Sequence, residues 1–159
     1  MPIPAPRSVE LIRHPASPTS GGVRRIDVEI STTADGALRL RYFVDGDVNR
    51  ILVPPHAPSR PTDGLWQHTC FEAFIAPDAA VPGYLEINAS PSLAWASYAF
   101  TDYRAGQRDV LTISETSSAC GSIIETQCAR FSRSTWDGMA STTMSAPRSA
   151  SAASVVADI

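Results

Sequence analysis

The chain of 159 residues carries its densest group of aromatic and acidic side chains in its middle third. Trp66 and Trp95 offer flat indole faces that can stack on the apolar face of a sugar ring. Glu72 and Glu86 offer carboxylate oxygens that accept hydrogen bonds from hydroxyl groups. Each type has a structural alternative. A tryptophan can pack in or at the rim of a core, and a strand glutamate can pair with Arg104 or another arginine.

Strand periodicity places several of these residues on shared faces, because side chains at every second position point to the same side. Glu72 shares a face with Phe74 in one predicted strand. Tyr84, Glu86 and Asn88 share a face in the next. The pattern predicts one concave, partly polar surface on which Tyr84, Asn88 and the glutamates form hydrogen bonds with a ligand.

Two polar residues of this region have more than one interpretation. Arg104 can bind an anionic group of a ligand, or a carboxylate of the protein itself, through its two-pronged guanidinium. Asn88 is followed by Ser90 and Pro91, so its side chain can also bond to nearby backbone and shape a turn. Both interpretations stay open from the residues alone.

Alternating apolar and polar residues predict a series of short strands that position this surface. The Asp-Gly pair between the second and third predicted strands gives the clearest hairpin signal. The proline-rich segment 54–61 is predicted to be a surface loop, because proline has no N–H for a strand ladder. With no helical period, the pattern predicts an all-β fold, an antiparallel β-sandwich. The predicted strands are Val9–Ile12, Val23–Ser31, Leu38–Val44, Thr69–Ala76, Tyr84–Ala89 and Leu93–Phe100.

The composition changes after about residue 114. Serine, alanine and threonine supply about half of the residues from Gly121 onward, a mixture too polar to offset its chain entropy by burial. We expect a sandwich domain over residues 8–114 and a tail over 115–159 that is either disordered or translated out of frame. Arginine supplies all 13 of the Lys and Arg residues, which fits a GC-rich gene and hence translation out of frame. The sandwich would then lack its last strands.

A spaced pattern runs through residues 65–106: a Trp, a strand with Glu and Phe, Tyr-x-Glu-x-Asn, a Ser-Pro turn, and a Trp with alternating aromatics. In these features the chain resembles the bacterial DOMON-like domains that are related to the family 9 carbohydrate-binding modules. The resemblance extends over about residues 8–110 and implies a jelly-roll sandwich whose relatives bind sugars or haem. The family's later strands should follow Arg104, and their pattern is missing here. The matching positions are Trp66, Thr69, Glu72, Phe74, Tyr84, Glu86, Asn88, Ser90, Pro91, Trp95, Tyr98, Phe100, Tyr103 and Arg104.

The favoured function is a noncatalytic module that recognises a carbohydrate-like small molecule, without a cofactor or metal. One alternative is a haem-binding electron-transfer domain, which the positions of histidine and methionine support poorly. Another is an interaction protein that recruits a partner at an open sheet edge. No nucleophile, zinc-peptidase or nucleotide motif occurs, so a glycosidase based on Glu72 and Glu86 is the only enzymatic alternative. The histidines and methionines are His14, His56, His68, Met1, Met139 and Met144.

Charge and composition exclude several other classes. The net charge of −3 and the lack of a basic stripe argue against nucleic-acid binding. Three prolines among the first six residues do not fit a signal peptide, and no apolar run is long enough to cross a bilayer. Three cysteines without CxxC spacing fit a reducing compartment. We therefore expect a cytoplasmic protein with no membrane partner.

Overall fold

The computed structural model describes residues 5–17, 22–32, 34, 38–55, 57–76 and 82–109, and the backbone of three later strands. This part of the chain forms strands and two short 3₁₀ turns, with no α-helix among them. None of its helical segments has the length and hydropathy to cross a membrane. The strands are β1 Arg7–Glu10, β2 Val23–Thr32, β3 Leu38–Gly46, β4 Arg60–Pro61, β5 Cys70–Ala76, β6 Tyr84–Ala89, β7 Ala94–Phe100, β8 Arg108–Asp109, β9 Thr116–Cys120, β10 Ile123–Cys128 and β11 Ala152–Asp158; the 3₁₀ turns are Val48–Arg50 and Leu65–Gln67.

The strands form two sheets that pack face to face. The first sheet has the order β1-β2-β3-β10-β9, and the second has the order β11-β5-β6-β7-β4, with β8 paired to β7. Every described pairing of strands is antiparallel except that of β4 with β7, which covers two residues. The prediction of an all-β antiparallel sandwich is confirmed.

The predicted hairpin is the pair β2 and β3. Val28 lies opposite Tyr42, and Ile30 lies opposite Leu40, so the buried positions of both strands fall on one face. The turn signal at residues 35–37 lies outside the described residues. The alternation of the sequence therefore predicts the face of each strand that enters the core.

The core lies between the two sheets. Tyr42 of β3 crosses it: the hydroxyl donates to the backbone oxygen of Glu72 at 3.0 Å, and the ring centroid lies 4.7 Å from that of Phe71. Because Phe71 and Ala73 point into this core, their neighbours in β5 must point to the outer face of the second sheet. The same alternation in β6 and β7 builds that outer face.

The proline-rich segment runs along the edge of the second sheet. It contributes only β4, two residues beside β7, and the backbone N–H of Thr62 donates to the oxygen of Trp95 at 2.8 Å. An edge is where a sheet tolerates proline. The segment then leads over the outer face into the 3₁₀ turn at Leu65.

Three strands lie within residues 115–159, where the sequence predicted a disordered or out-of-frame tail and a sandwich without its last strands. β10 pairs with β3 and β9, and β11 pairs with β5. Short apolar runs inside a polar segment can join a sheet, because the pairing uses main-chain groups. The remaining residues of this segment lie outside the described ones, and the domain boundary near residue 114 stays a prediction.

Candidate functional site

A cavity of about 810 Å³ lies on the outer face of the second sheet, away from the sandwich core. Its floor comes from β5, β6 and β7, and its rim comes from the 3₁₀ turn at Leu65 and from the turn that follows β7. Six aromatic rings and two carboxylates of the described residues surround it. The lining residues are Trp66, Glu72, Phe74, Tyr84, Glu86, Tyr98, Phe100, Tyr103, Arg104 and Gln107.

Strand register brings the floor residues together. Phe74 lies opposite Glu86, and Glu86 lies opposite Tyr98, so the three side chains form a row across the sheet. In the next row Tyr84 lies opposite Phe100, and their rings stack with centroids 4.6 Å apart and planes 12° apart. Cross-strand neighbours of this kind contact one another directly.

A second hydrophobic cluster supports one side of the cavity. Leu65 of the 3₁₀ turn packs with Cys70, Ala94, Ala96, Tyr98 and Phe100, all buried on the outer face. The small alanines of β7 leave room for this turn to lie close to the sheet. The turn is thereby anchored, and it holds the next residue, Trp66, at the mouth of the cavity.

Trp66 owes its position to the bend at Asp63 and Gly64. Gly64 adopts φ +74°, a left-handed conformation that glycine takes without strain, and its N–H donates to Oδ1 of Asp63 at 2.9 Å. The same carboxylate oxygen accepts the hydroxyl of Tyr98. The Trp66 side chain meets the Tyr98 ring edge-on at 6.3 Å and is 43% exposed. Part of the indole is therefore open to a ligand.

Burial raises the pKa of the Tyr98 hydroxyl above its ordinary range, and the hydrogen bond to Asp63 adds to the effect. A phenolate at this position would lose hydration and would lie beside a carboxylate. The Tyr98 hydroxyl is therefore neutral at physiological pH and donates its hydrogen bond to Asp63.

Glu86 is held by Asn88 on the same strand. The side-chain nitrogen of Asn88 donates to Oε1 of Glu86 at 3.0 Å, and Asn88 is completely buried. The amide oxygen of Asn88 is also buried and has no hydrogen-bond partner among the described residues. Among the described residues, Glu86 forms no ion pair, which was the alternative interpretation of this carboxylate. The first sheet carries the ion pairs Arg24–Asp45, Arg25–Glu10, Arg25–Asp27 and Arg41–Glu29.

Arg104 lies in an exposed turn at the rim. The backbone groups of Asp102 and Ala105 bond to each other across it, and Arg104 adopts φ +54°, a left-handed conformation unusual for a residue with a side chain. Its guanidinium carbon lies 5.4 Å from the centre of the Tyr103 ring, which is itself largely exposed. The turn thus places a cation and an aromatic ring beside the opening.

Five of the seven residues selected from the sequence line the cavity: Trp66, Glu72, Tyr84, Glu86 and Arg104. The structure does not bring Trp95 to it. Along β7, Trp95 points to the face opposite to that of Tyr98 and Phe100. It shares this face with Ala99, which packs in the sandwich core. Its predicted stacking role therefore has no geometric support.

Asn88 lies on the predicted face but beneath Glu86, where it positions that carboxylate and is closed to solvent. Sequence reasoning did not select Phe74, Tyr98, Phe100, Tyr103 or Gln107 as site residues, although they line the cavity. Strand alternation carries a signal for the first three, which share the face of the glutamates. For Gln107 in a turn the sequence holds no such signal.

The described residues include no cluster of three or more His, Cys, Asp or Glu side chains able to share a metal ion. His14 and His68 are exposed and do not line the cavity, while His56 and the methionines lie outside the described residues. Comparison with family models, curated proteins and solved structures found no match to the chain. Fold and site together define a β-sandwich protein with an aromatic, acidic cavity on the outer face of one sheet.

Proposed function

We propose that this protein is a noncatalytic binding module that holds a carbohydrate-like small molecule in the outer-face cavity. The observation that carries the proposal is the combination of six aromatic rings with the carboxylates of Glu72 and Glu86 around one cavity. The volume of about 810 Å³ lies in the range of small-molecule sites.

The chemistry of the lining fits the two sides of a sugar ring. A pyranose has an apolar C–H face, which stacks on an aromatic ring, and an edge of hydroxyl groups, which need acceptors. The half-exposed indole of Trp66 supplies the first kind of contact, and Tyr84 and Phe100 add aromatic rings to the lining. The carboxylates supply the second. The resemblance to DOMON-like domains supports the same function, because relatives of those domains bind sugars.

The contact between Asn88 and Glu86 suits the binding of a hydroxyl group. Its Oε1 accepts a hydrogen bond from Asn88, so the carboxylate is held as an acceptor, the role that hydroxyl binding requires. A glycosidase needs a second carboxyl group that donates a proton. Incubation with aryl glycosides tests this point: turnover that Glu86→Gln abolishes would contradict a noncatalytic function.

A saccharide screen by thermal shift, followed by calorimetric titration, tests the proposal. We expect Trp66→Ala to weaken binding about tenfold or more, the loss of one well-placed stacking contact. Phe43→Ala is the matched control, because Phe43 is a partly buried ring on the outer face of the first sheet, packed against Arg41. The proposal fails if no saccharide binds, or if both variants weaken binding equally.

A further inference from the structure

We infer that the molecule bound in this cavity carries a positively charged amino group, as an amino sugar does, and that this group lies beside Glu86 and Glu72. The inference rests on the proposed function and narrows its ligand class. It depends on the charges, the rings and the hydrogen bonds of the described cavity.

The charges of the cavity are unevenly placed. Glu72 and Glu86 rise from adjacent strands, and because Glu72 lies opposite Asn88, the two glutamates are diagonal neighbours on the floor. Side chains in that relation are within reach of one bound group. The cation of the lining, Arg104, lies instead in the exposed turn at the rim, with its guanidinium over Tyr103. Among the described lining residues, the carboxylates thus lie on the floor and the guanidinium lies at the rim.

Two more carboxylates lie around Tyr98, beside the same floor. Asp63 accepts its hydroxyl, and Asp109 of β8 lies opposite Tyr98 in the sheet register. Both raise the pKa of Tyr98 through their negative charge, in addition to the larger effect of burial. The potential on this side of the cavity thus favours a cation over a neutral or anionic ligand.

The rings favour the same charge. The face of an aromatic ring is electronegative and attracts an ammonium group, most strongly where water is displaced. Trp66 presents part of its indole to the cavity, which the rings of Tyr84 and Phe100 also line. A neutral sugar would gain from stacking alone, whereas an amino sugar would gain from the rings and the carboxylates together.

Asn88 gives Glu86 a fixed orientation for this role. The amide nitrogen of Asn88 donates to Oε1 of Glu86, and Oε2 of the same carboxylate can accept a hydrogen bond from a ligand. The amide oxygen of Asn88 stays buried without a partner, which lowers stability. Asn88 thus lowers stability and at the same time orients Glu86, a carboxylate of the cavity. This combination points to a binding role for Glu86.

The test compares D-glucosamine with D-glucose and N-acetyl-D-glucosamine by calorimetry at a mildly acidic pH, where the amine is protonated. We expect glucosamine to bind about tenfold more tightly than either neutral sugar. In Glu86→Gln, which keeps the size and an acceptor for Asn88, the preference should disappear. Glu10→Gln, an exposed residue on β1 of the other sheet, should retain it. If Glu86→Gln does not fold, added salt should weaken glucosamine binding to the native chain but not glucose binding.

The outcomes separate the two proposals. Equal affinity for the three sugars, lost in Trp66→Ala, would overturn the amino-group inference and leave carbohydrate binding intact. Binding of choline but not of its neutral isostere 3,3-dimethylbutan-1-ol, with no saccharide bound, would support the cationic ligand and contradict the carbohydrate. Absence of binding by all these probes would overturn both.

Discussion

Asn88 donates its side-chain N–H to Oε1 of Glu86 at 3.0 Å, although the first residue is fully buried and the second faces the cavity. The two residues are separated by one position of β6, so both point to the outer face of the sheet. The buried amide thus sets the direction of a carboxylate that a ligand can reach.

Asn88→Leu should separate stability from binding. The variant loses a hydrogen bond to a carboxylate, about 1.5–3 kcal/mol, and also removes a buried oxygen without a partner, which costs about 1–3 kcal/mol. These terms nearly cancel, so we expect the free energy of unfolding in urea to change by about 1 kcal/mol or less. Ligand affinity should fall about fivefold, because Glu86 loses its fixed orientation.

Ser97→Ala is the matched control for this prediction. The hydroxyl of Ser97 is also buried without a partner, but Ser97 lies on the opposite face of β7. Its removal should raise stability by about 1 kcal/mol and leave affinity unchanged. A large loss of stability in Asn88→Leu with native affinity would show that Asn88 serves the fold alone.

Arg104→Gly tests the rim. The left-handed backbone at Arg104, φ +54°, costs about 1 kcal/mol for a residue with a side chain, and glycine removes that cost. We expect the melting temperature to stay level or rise by a few degrees. Removal of the positive charge should also strengthen glucosamine binding by about twofold to fivefold at low ionic strength. Arg104→Gln removes the charge and keeps the backbone strain, so it should raise the affinity for glucosamine without raising stability. If both variants bound glucosamine more weakly, Arg104 would be a direct ligand contact.

Strand alternation predicted much of the floor of the site. It placed Glu72 with Phe74, and Tyr84 with Glu86 and Asn88, and the structure has them on one outer face. The same alternation argues against Trp95, because its neighbours at every second position include Ala99 of the core. A rule of two-residue periodicity works here because the face toward the core is largely apolar.

Other features of the site could not come from periodicity. Asp63 reaches Tyr98 only because the chain crosses the outer face of the sheet before the 3₁₀ turn, which depends on the packing of Leu65. The burial of Asn88 follows from its neighbours Glu72 and Ala96 in the sheet register, a long-range pairing. Loops and burial depend on tertiary contacts that local sequence does not encode.

Tyr98→Phe should change how stability depends on pH. The folded-state pKa of Tyr98 is raised above its ordinary value of 10.0, mainly by burial and then by Asp63. Below about pH 10, Tyr98 keeps its proton in both the folded and the unfolded state, so its contribution to the free energy of unfolding is fully present there. At higher pH the unfolded state ionises first, and stability falls by up to about 1.4 kcal/mol per pH unit.

Urea unfolding of the native chain and of Tyr98→Phe, near neutral pH and above about pH 10, measures this effect. The variant should be less stable by about 1 kcal/mol near neutral pH, where it lacks the bond to Asp63, and the gap should narrow at alkaline pH. The chain contains no lysine, so no ammonium group of that type titrates in the same interval. A constant gap across the range would show that the hydroxyl of Tyr98 ionises as readily in the folded protein as in the unfolded one.

Gly83→Ala should distort the entry to β6 and with it the aromatic stack of the cavity. Gly83 adopts φ +104°, and a Cβ atom there would lie 2.8 Å from the backbone oxygen of Phe100. That contact adds to the backbone strain, so we expect a loss of about 2–3 kcal/mol in urea unfolding. Gly64→Ala is the matched control: φ is +74°, but the nearest atom to its Cβ is a side-chain nitrogen of Gln67 at 3.8 Å. It should cost only about 1 kcal/mol, from the left-handed backbone alone. Because Tyr84 follows Gly83 directly and stacks on Phe100, Gly83→Ala should also weaken ligand binding. If Gly83→Ala and Gly64→Ala lowered stability equally, the close approach of β7 to Gly83 would be contradicted.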